Sequence, residues 1–182
     1  MIQFRFNPTK AFQAITWMLA TSNQALDFHT ILKAVYFADK AMLNEHGRPI
    51  FGATYRAMNY GPVPLEIYEM LKCEPYWLSE LGLDDYPWMR KGYKVELCTR
   101  RNSLSLPDDL ASVEMDILAD ALNHSRGMSF DQRTRETHGM DWVEGTRRPD
   151  ARMAYADMIA KDRPGRAELI EDLEAMGPRL VL

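Results

Sequence analysis

The segment from residue 32 to residue 68 constrains the fold more than any other part of the chain. It reads LKAVYFADKAMLNEHGRPIFGATYRAMNYGPVPLEIY. Apolar residues recur at helical spacing as far as Leu43, and Gly47 then offers the left-handed conformation that ends many helices. A short glycine-rich stretch follows, and two prolines around Val63 lead into a second helix. Because nothing here has the pattern of a nucleophile, a metal ligand or a phosphate-binding loop, the segment indicates recognition rather than catalysis.

Length and composition favour one soluble domain. The chain has 182 residues, of which 46% are apolar and 26% charged, and its net charge is -4. That charge argues against a general nucleic-acid coat, because such binding depends on clustered cations. Cys73 and Cys98 have neither metal-site nor CxxC spacing, which fits a reducing compartment. No signal-peptide pattern and no membrane-spanning apolar run is present, so we expect a cytoplasmic protein with one domain over residues 1–182.

Capping residues and apolar periodicity predict where the helices begin and end. Asn7 and Pro8 suit the N-cap and first position of one helix, and Asp27 suits the N-cap of the next. Ser129, followed three residues later by Gln132, has the sequence of a capping box. Together with the apolar faces, these signals predict six or seven helices, over approximately residues 8–21, 27–46, 64–71, 108–122, 129–138, 155–159 and 169–176.

Strand signals occur in two places. The pattern from Ile50 to Tyr60 is short, β-prone and bounded by glycines, and Tyr55 and Met58 suggest a strand or an irregular crossing. Residues 94–99 alternate in polarity like a half-buried strand, residues 101–103 suit a turn, and residues 104–106 suit a second strand. Residues 72–92 show no clean period. The predicted fold class is therefore α+β and predominantly helical, with a small antiparallel hairpin.

The predicted second helix and the proline-rich turn each contain one residue of special interest. Asp39 interrupts the apolar stripe, and we interpret it as an acceptor for backbone N–H groups of a nearby loop around Gly61; the alternative is a general base. Gly61 precedes Pro62 and is expected to be extended, and Pro64 then opens the next helix. The two prolines predict a stiff elbow.

The histidines do not form a recognisable metal or catalytic pattern. His138 and Trp142 are spaced to share one helical face. We interpret His138 as bonded to a backbone carbonyl, with Trp142 filling the core. Since the sequence offers neither a second catalytic group nor the spacing of a metal site, we expect no enzyme activity, no metal and no cofactor. A hydrolase that uses Asp39 and His138 is the weaker alternative.

Aromatic residues supply the candidate contacts with another protein. Tryptophan and tyrosine contribute most of the binding free energy in many interfaces. The aperiodic stretch contains the four side chains that we predict as anchors, namely Tyr76, Trp77, Tyr86 and Trp88. Phe37 and Tyr60 are further candidates. The alternative interpretation is that the four anchors are core aromatics beneath an irregular loop.

Three ordered motifs resemble the Panacea domain, the antitoxin family that includes SocA and the phage-associated GepA-like proteins. They are YFAD at residues 36–39 with its preceding Val35, then GRPIFG at 47–52, then YRAMNYGPVP at 55–64. The later pair formed by Thr137–His138 and Trp142 is similar to a fourth family element. The residues that carry the resemblance are Tyr36, Asp39, Gly47, Pro49, Gly52, Tyr55, Gly61, Pro62, Pro64, His138 and Trp142.

This resemblance implies an antitoxin of a bacterial type II toxin–antitoxin system. The implied partner is a co-encoded toxin protein, and members of the SocA type are also implied to be proteolytic adaptors that deliver the toxin to ClpXP. A membrane partner is not expected, nor is nucleic acid. The alternative within the same class is a DNA-binding autoregulator of its own operon, for which we find no helix–turn–helix with a basic recognition helix.

Overall fold

The structure is a computed structural model that describes residues 1–98 and 107–182. Helices dominate it, which confirms the predicted α+β class. The helices are α1 (Pro8–Ser22), α2 (Phe28–His46), α3 (Leu65–Leu71), α4 (Pro75–Leu81), α5 (Ser112–Arg126), α6 (Phe130–Thr137), α7 (Met140–Thr146), α8 (Tyr155–Met158) and α9 (Arg166–Met176). The strands are β1 (Leu26–Asp27), β2 (Tyr55–Met58), β3 (Gly61–Pro64), β4 (Trp88–Lys91) and β5 (Lys94–Leu97).

The predicted caps of the first two helices are confirmed. The side chain of Asn7 accepts a hydrogen bond from the backbone N–H of Lys10, and the side chain of Asp27 accepts one from Thr30. Gly47 ends α2 with φ +73°, a conformation that costs little only for a residue without a Cβ. The local sequence therefore sets the limits of the two longest helices at the start of the chain.

The nine helices of the described ranges exceed the predicted six or seven. The additional ones are α4 and α7, each seven residues long. Pro75 begins α4 and Gly82 ends it in the left-handed conformation, signals that the absence of a clean apolar period concealed. The prediction for α5 began too early, because the helix starts at Ser112 and the side chain of Glu114 caps its first turn by accepting from the N–H of Ala111.

The strands form two antiparallel sheets, one with the order β1–β5–β4 and one made of β2 and β3. The strand predicted from residue 94 onwards is present, but it pairs with β4 and β1. The predicted partner strand at residues 104–106 lies outside the described residues. A second difference is β3, because the expected elbow before Pro64 is instead one strand of a hairpin with β2.

Helix α2 lies at the centre of the fold. One cluster of buried apolar residues joins it to α1, α3 and α5, and a second joins it to α8, α9 and β2. Since apolar neighbours cover α2 on several sides, polar residues on it are buried as well. Lys33 and Asp39 are both about as enclosed as the apolar residues next to them.

A buried ion pair ties α1 to α5. The carboxylate of Glu114 accepts from the ammonium group of Lys10 at 3.0 Å and from the guanidinium group of Arg48 at 2.7 Å.

Among the described residues, no helix has both the length and the apolar content needed to cross a membrane.

Candidate partner-binding face

The turn between β2 and β3 presents an exposed tyrosine on a tightly held backbone. The register pairs Met58 with Gly61, so Asn59 and Tyr60 form the turn itself. Tyr60 is 61% exposed, although much of the hairpin around it is buried.

Three side chains from two helices hold the backbone carbonyls of this turn. The donor and acceptor pairs are Trp142 Nε1 to Met58 O (3.0 Å), His29 Nε2 to Tyr60 O (3.1 Å) and Lys33 Nζ to Pro62 O (2.8 Å). A carbonyl fixed in this way cannot rotate without leaving a polar group without its partner. The three bonds therefore fix the position from which Tyr60 projects.

Phe130, the first residue of α6, extends the exposed aromatic surface. Its ring stacks on His29 with 4.1 Å between centroids, and it meets Tyr60 edge-on at 5.1 Å. Phe130 is 43% exposed. We call Met58, Tyr60 and Phe130, which are all exposed, the turn face.

Arg133 of α6 fixes His29 from the other side. Its Nε lies 3.0 Å from Nδ1 of His29, while its Nη1 donates to the carbonyls of Ser125 and Met128. Burial lowers the pKa of His29 to about 4, and the positive charge of Lys33 acts in the same direction. His29 is therefore neutral in the physiological pH range.

Lys33 lies directly beneath the turn. It is only 1% exposed, and burial together with the nearby Arg133 lowers its pKa to about 7. Gly61 allows this close approach, because a Cβ at that position would come within 3.1 Å of the lysine Nζ and 2.4 Å of Thr137 Oγ1. Gly61 begins strand β3, in agreement with the expected extended chain, but its φ of +98° is one that a residue with a side chain rarely adopts.

His138 and Trp142 stack in parallel, with 3.7 Å between their ring centroids. The prediction that they share one helical face is wrong, because α6 ends at Thr137 and α7 begins at Met140. Trp142 is partly buried and reaches the turn rather than only filling the core. Burial and the charge of Lys33 lower the pKa of His138, while a hydrogen bond with the backbone of Asn59 opposes them.

Tyr36 connects α2 to α7. Its hydroxyl donates to Oδ2 of Asp141 at 2.5 Å, and Lys40 donates to the same oxygen at 3.0 Å. Burial, followed by the negative charge of Asp141, raises the pKa of Tyr36 well above its usual value. This contact holds α7, and hence Trp142, against the central helix.

The carboxylate of Asp39 is surrounded by hydrogen-bond donors of the protein itself. One oxygen accepts from the backbone N–H groups of Ile50 and Phe51, and the other accepts from the hydroxyl of Tyr55. The predicted interpretation as a backbone acceptor is thus right in kind, but the loop is the one at residues 50–51 and not the one around Gly61. Burial raises the pKa of Asp39 to about 6, against the effect of these hydrogen bonds.

The remaining motif residues shape the backbone between α2 and α3. Gly52 has φ +70°, and a Cβ there would meet the carbonyl oxygen of Arg5 at 2.9 Å. Pro49 is buried, and Pro64 is the N-cap of α3. Together with Gly47, they route the chain from the end of α2 to the hairpin.

The four predicted anchors do not form one exposed surface. Trp88 is 2% exposed and Trp77 is also buried, so the structure favours the alternative of core aromatics for both tryptophans. Tyr86 is partly buried and donates its hydroxyl proton to the carbonyl of Glu74. Tyr76 is 59% exposed and stays available. Phe37 is half-buried and packs against both clusters of the core.

No group of three or more histidine, cysteine or acidic side chains within residues 1–98 and 107–182 has the arrangement of a metal site. The polar side chains around the turn, those of Trp142, His29 and Lys33, instead donate hydrogen bonds to its backbone carbonyls. These bonds hold the surface in place. A partner protein would meet the exposed phenol of Tyr60, the neighbouring aromatic ring and a fixed backbone.

The family model described as antitoxin SocA-like, Panacea domain, matches residues 31–143, which is more than half of the chain. The chain belongs to this family. No curated protein and no solved structure matches it. The matched range of the SocA-like antitoxin family includes the turn, Lys33, Phe130 and Trp142, and His29 lies two residues before it.

Of the residues that support the turn, sequence reasoning singled out Trp142 but missed Lys33, His29 and Arg133. Lys33 and His29 are one helical turn apart on α2, and this spacing on a helix with an otherwise apolar face was the available signal. Arg133 lies in the middle of the correctly predicted capping-box helix α6, but nothing in its neighbourhood indicates burial. Phe130 was not considered because it stands alone in a polar segment.

Proposed function

We propose that this protein neutralises a co-encoded toxin by stoichiometric contact through the turn face, without catalysing a reaction. Membership of a SocA-like antitoxin family supports the role. The observation that carries the choice of surface is the exposure of Tyr60 on a turn whose carbonyls are held by Trp142, His29 and Lys33.

A rigid aromatic surface is suited to tight binding. A side chain that is already ordered before association loses little conformational entropy when the partner arrives. Tyrosine also combines a large apolar ring with a hydroxyl that can bond to a partner. Since specific complexes bury roughly 1,600 Å² in total, the turn face would form the centre of a larger contact.

The surroundings of Asp39 support a non-catalytic role. Its carboxylate is fully enclosed and its oxygens bond to Ile50, Phe51 and Tyr55, so a substrate would have no route to it. His138 stacks on Trp142 beneath the turn and makes none of these contacts. Asp39 and His138 therefore do not form the shared catalytic centre that the hydrolase alternative would need.

We expect this interaction to take place in the cytoplasm. The resemblance to SocA suggests a second way of neutralising the toxin, which is its delivery to ClpXP. The two routes differ in one requirement. Direct neutralisation abolishes toxin activity in a purified mixture of toxin and antitoxin, whereas delivery needs the protease and ATP. Activity of the toxin in the mixture without protease would reject direct neutralisation.

Alanine substitutions at the turn face test the surface. We expect Tyr60→Ala and Phe130→Ala each to weaken binding of the purified product of the adjacent gene by about 10- to 100-fold, the range of interface hot spots. Tyr93→Ala is the matched control, since Tyr93 is 72% exposed at the other sheet. Tyr76→Ala examines the sequence prediction in the same assay.

The outcomes separate the surfaces. Loss of binding at Tyr76 with no loss at Tyr60 and Phe130 would move the contact to α4 and reject the turn face. Failure of the adjacent gene product to bind the intact protein would reject the proposed antitoxin mechanism as a whole.

A further inference from the structure

Basic side chains collect beneath the turn face. Lys33 lies at their centre, and the groups that face it are His29 on its own helix, Arg133 on α6 and His138 after α6. All of them are at least partly buried, and they approach one another from different elements of the fold. Because the guanidinium group of Arg133 is always protonated, the combined charge of these side chains is positive, and it increases further when Lys33 binds a proton.

Two carboxylates of this region are engaged elsewhere, and a third, that of Asp27, faces Arg133 and His29 of the basic cluster. Asp141 bonds to Tyr36 and Lys40, and Glu136 pairs with His124. Asp27 lies 3.6 Å from Arg133 and caps α2. In the described ranges, the lysine ion pairs are those of Lys10, Lys40, Lys72 and Lys91, so Lys33 has no carboxylate within 4 Å.

Lys33 packs directly against the hairpin at Gly61 and Pro62. The Cβ direction of Gly61 points at the lysine Nζ at 3.1 Å, and the Nζ itself bonds to the Pro62 carbonyl. Because charges interact more strongly across protein than across water, the positive potential of Lys33 reaches the surface beside Tyr60, the residue that precedes Gly61.

We propose that the partner protein places an aspartate or glutamate side chain on the turn face, beside Tyr60 and over Lys33. The inference rests on the proposed function and adds the chemistry of the partner at this surface. An acidic side chain is the occupant that complements an enclosed cation lacking a counter-charge. A nucleic-acid phosphate carries the same sign, but it would have to approach a protein whose net charge is -4.

This placement couples binding to proton uptake. The pKa of Lys33 is lowered to about 7, so the lysine is only partly protonated at neutral pH. A carboxylate placed over it favours the protonated amine and raises that pKa. The complex consequently holds more protons than the separated proteins, and its affinity increases as the pH falls from 9 to 6.5.

The test compares the intact protein with Lys33→Met, using the purified product of the adjacent gene as the probe. We expect the affinity of the unchanged protein to increase at least threefold between pH 9 and pH 6.5, and that of Lys33→Met to stay constant apart from the probe's own titration. Lys161→Met removes an exposed lysine and is the control, which should retain the full pH dependence.

A second measurement does not depend on the stability of the variant. Calorimetry of the unchanged protein at pH 7.5, in two buffers that differ in ionisation enthalpy, reports the protons taken up on binding. Replacing the acidic residues of the probe by their amides, one at a time, should identify one position whose loss abolishes this uptake.

The failures are distinguishable. Binding without proton uptake, or with the same pH dependence in Lys33→Met, overturns the acidic contact but leaves the proposed function intact. Absence of binding to the adjacent gene product overturns both. Binding of the operon's promoter DNA at the same face, lost in Tyr60→Ala, would replace the carboxylate by a phosphate and overturn the inference.

Discussion

Arg133 donates a hydrogen bond from Nε to Nδ1 of His29 across 3.0 Å. A guanidinium group has donors only, so His29 accepts at Nδ1 and carries its proton on Nε2, from which it donates to the carbonyl of Tyr60. A single tautomer of one histidine thus connects α6 to the turn.

The tautomer of His29 leads to a spectroscopic prediction. With a pKa lowered to about 4, His29 should stay neutral from pH 8 down to pH 5 and keep its proton on Nε2. Long-range 15N–1H spectra of the imidazole rings measure both properties. A ring that titrates near pH 6.5, or that protonates Nδ1 first, would contradict the arrangement. His46, at the exposed end of α2, is the internal comparison.

The two substitutions Asp39→Ala and Asp39→Asn should differ sharply in stability. Alanine leaves the N–H groups of Ile50 and Phe51 and the hydroxyl of Tyr55 without their acceptor, and we expect a loss of about 3–5 kcal/mol in the free energy of unfolding. Asparagine keeps an acceptor oxygen and removes the buried charge, so its cost should be about 1 kcal/mol. Urea denaturation monitored by tryptophan fluorescence measures both.

The Asp39→Asn substitution also tests whether the protein acts as an enzyme. A folded Asp39→Asn protein should still neutralise the toxin, because the proposed function requires no reaction at the carboxylate. Loss of neutralisation with toxin binding intact would favour the hydrolase alternative instead.

Lys33 should make the free energy of unfolding increase with pH. Its folded-state pKa of about 7 lies below the ordinary value of 10.5. Between these two values the unfolded chain binds the proton that the folded protein excludes, so stability increases as the pH rises above 7. The slope limit is about 1.4 kcal/mol per pH unit, which predicts a gain of about 2 kcal/mol from pH 7 to pH 9.

Denaturation of the unchanged protein and Lys33→Met at both pH values measures this gain. Subtracting the pH dependence of Lys33→Met from that of the unchanged protein removes the contribution of groups that titrate identically in both proteins. An equal pH dependence in the two proteins would show that Lys33 is protonated in the folded state throughout this range.

Gly61→Ala should destabilise the protein far more than Gly92→Ala. Both glycines have positive φ, so each substitution carries the same type of backbone strain. At Gly61 the new Cβ would also meet Thr137 Oγ1 at 2.4 Å, whereas at Gly92 it meets no atom within 4 Å. We expect about 1 kcal/mol for Gly92→Ala and about 3 kcal/mol for Gly61→Ala.

Thermal unfolding of the two variants is the measurement. Comparable costs would mean that the turn can move away from Thr137, and the turn face would then lack the rigidity that the proposed function requires.

Much of the local architecture was predictable because it depends on neighbours in the chain. Asn7, Asp27 and Gly47 set helix limits through hydrogen bonds and backbone conformations a few residues away. The capping box of Ser129 and Gln132 is confirmed for the same reason. The pairing of β5 was missed because either neighbouring segment could supply the partner strand.

The sequence by itself determined that this is a mostly helical member of an antitoxin family with a constrained turn after α2. Only the tertiary structure decided what the motif residues do. Trp88 and Tyr60 are both aromatic residues in irregular sequence, yet one is enclosed by packing and the other is exposed. The donors to the turn come from residues 29, 33 and 142, and separations as long as 84 residues leave no trace in local periodicity. Such contacts arise only when distant elements pack, because a side chain's burial depends on what the rest of the chain places around it.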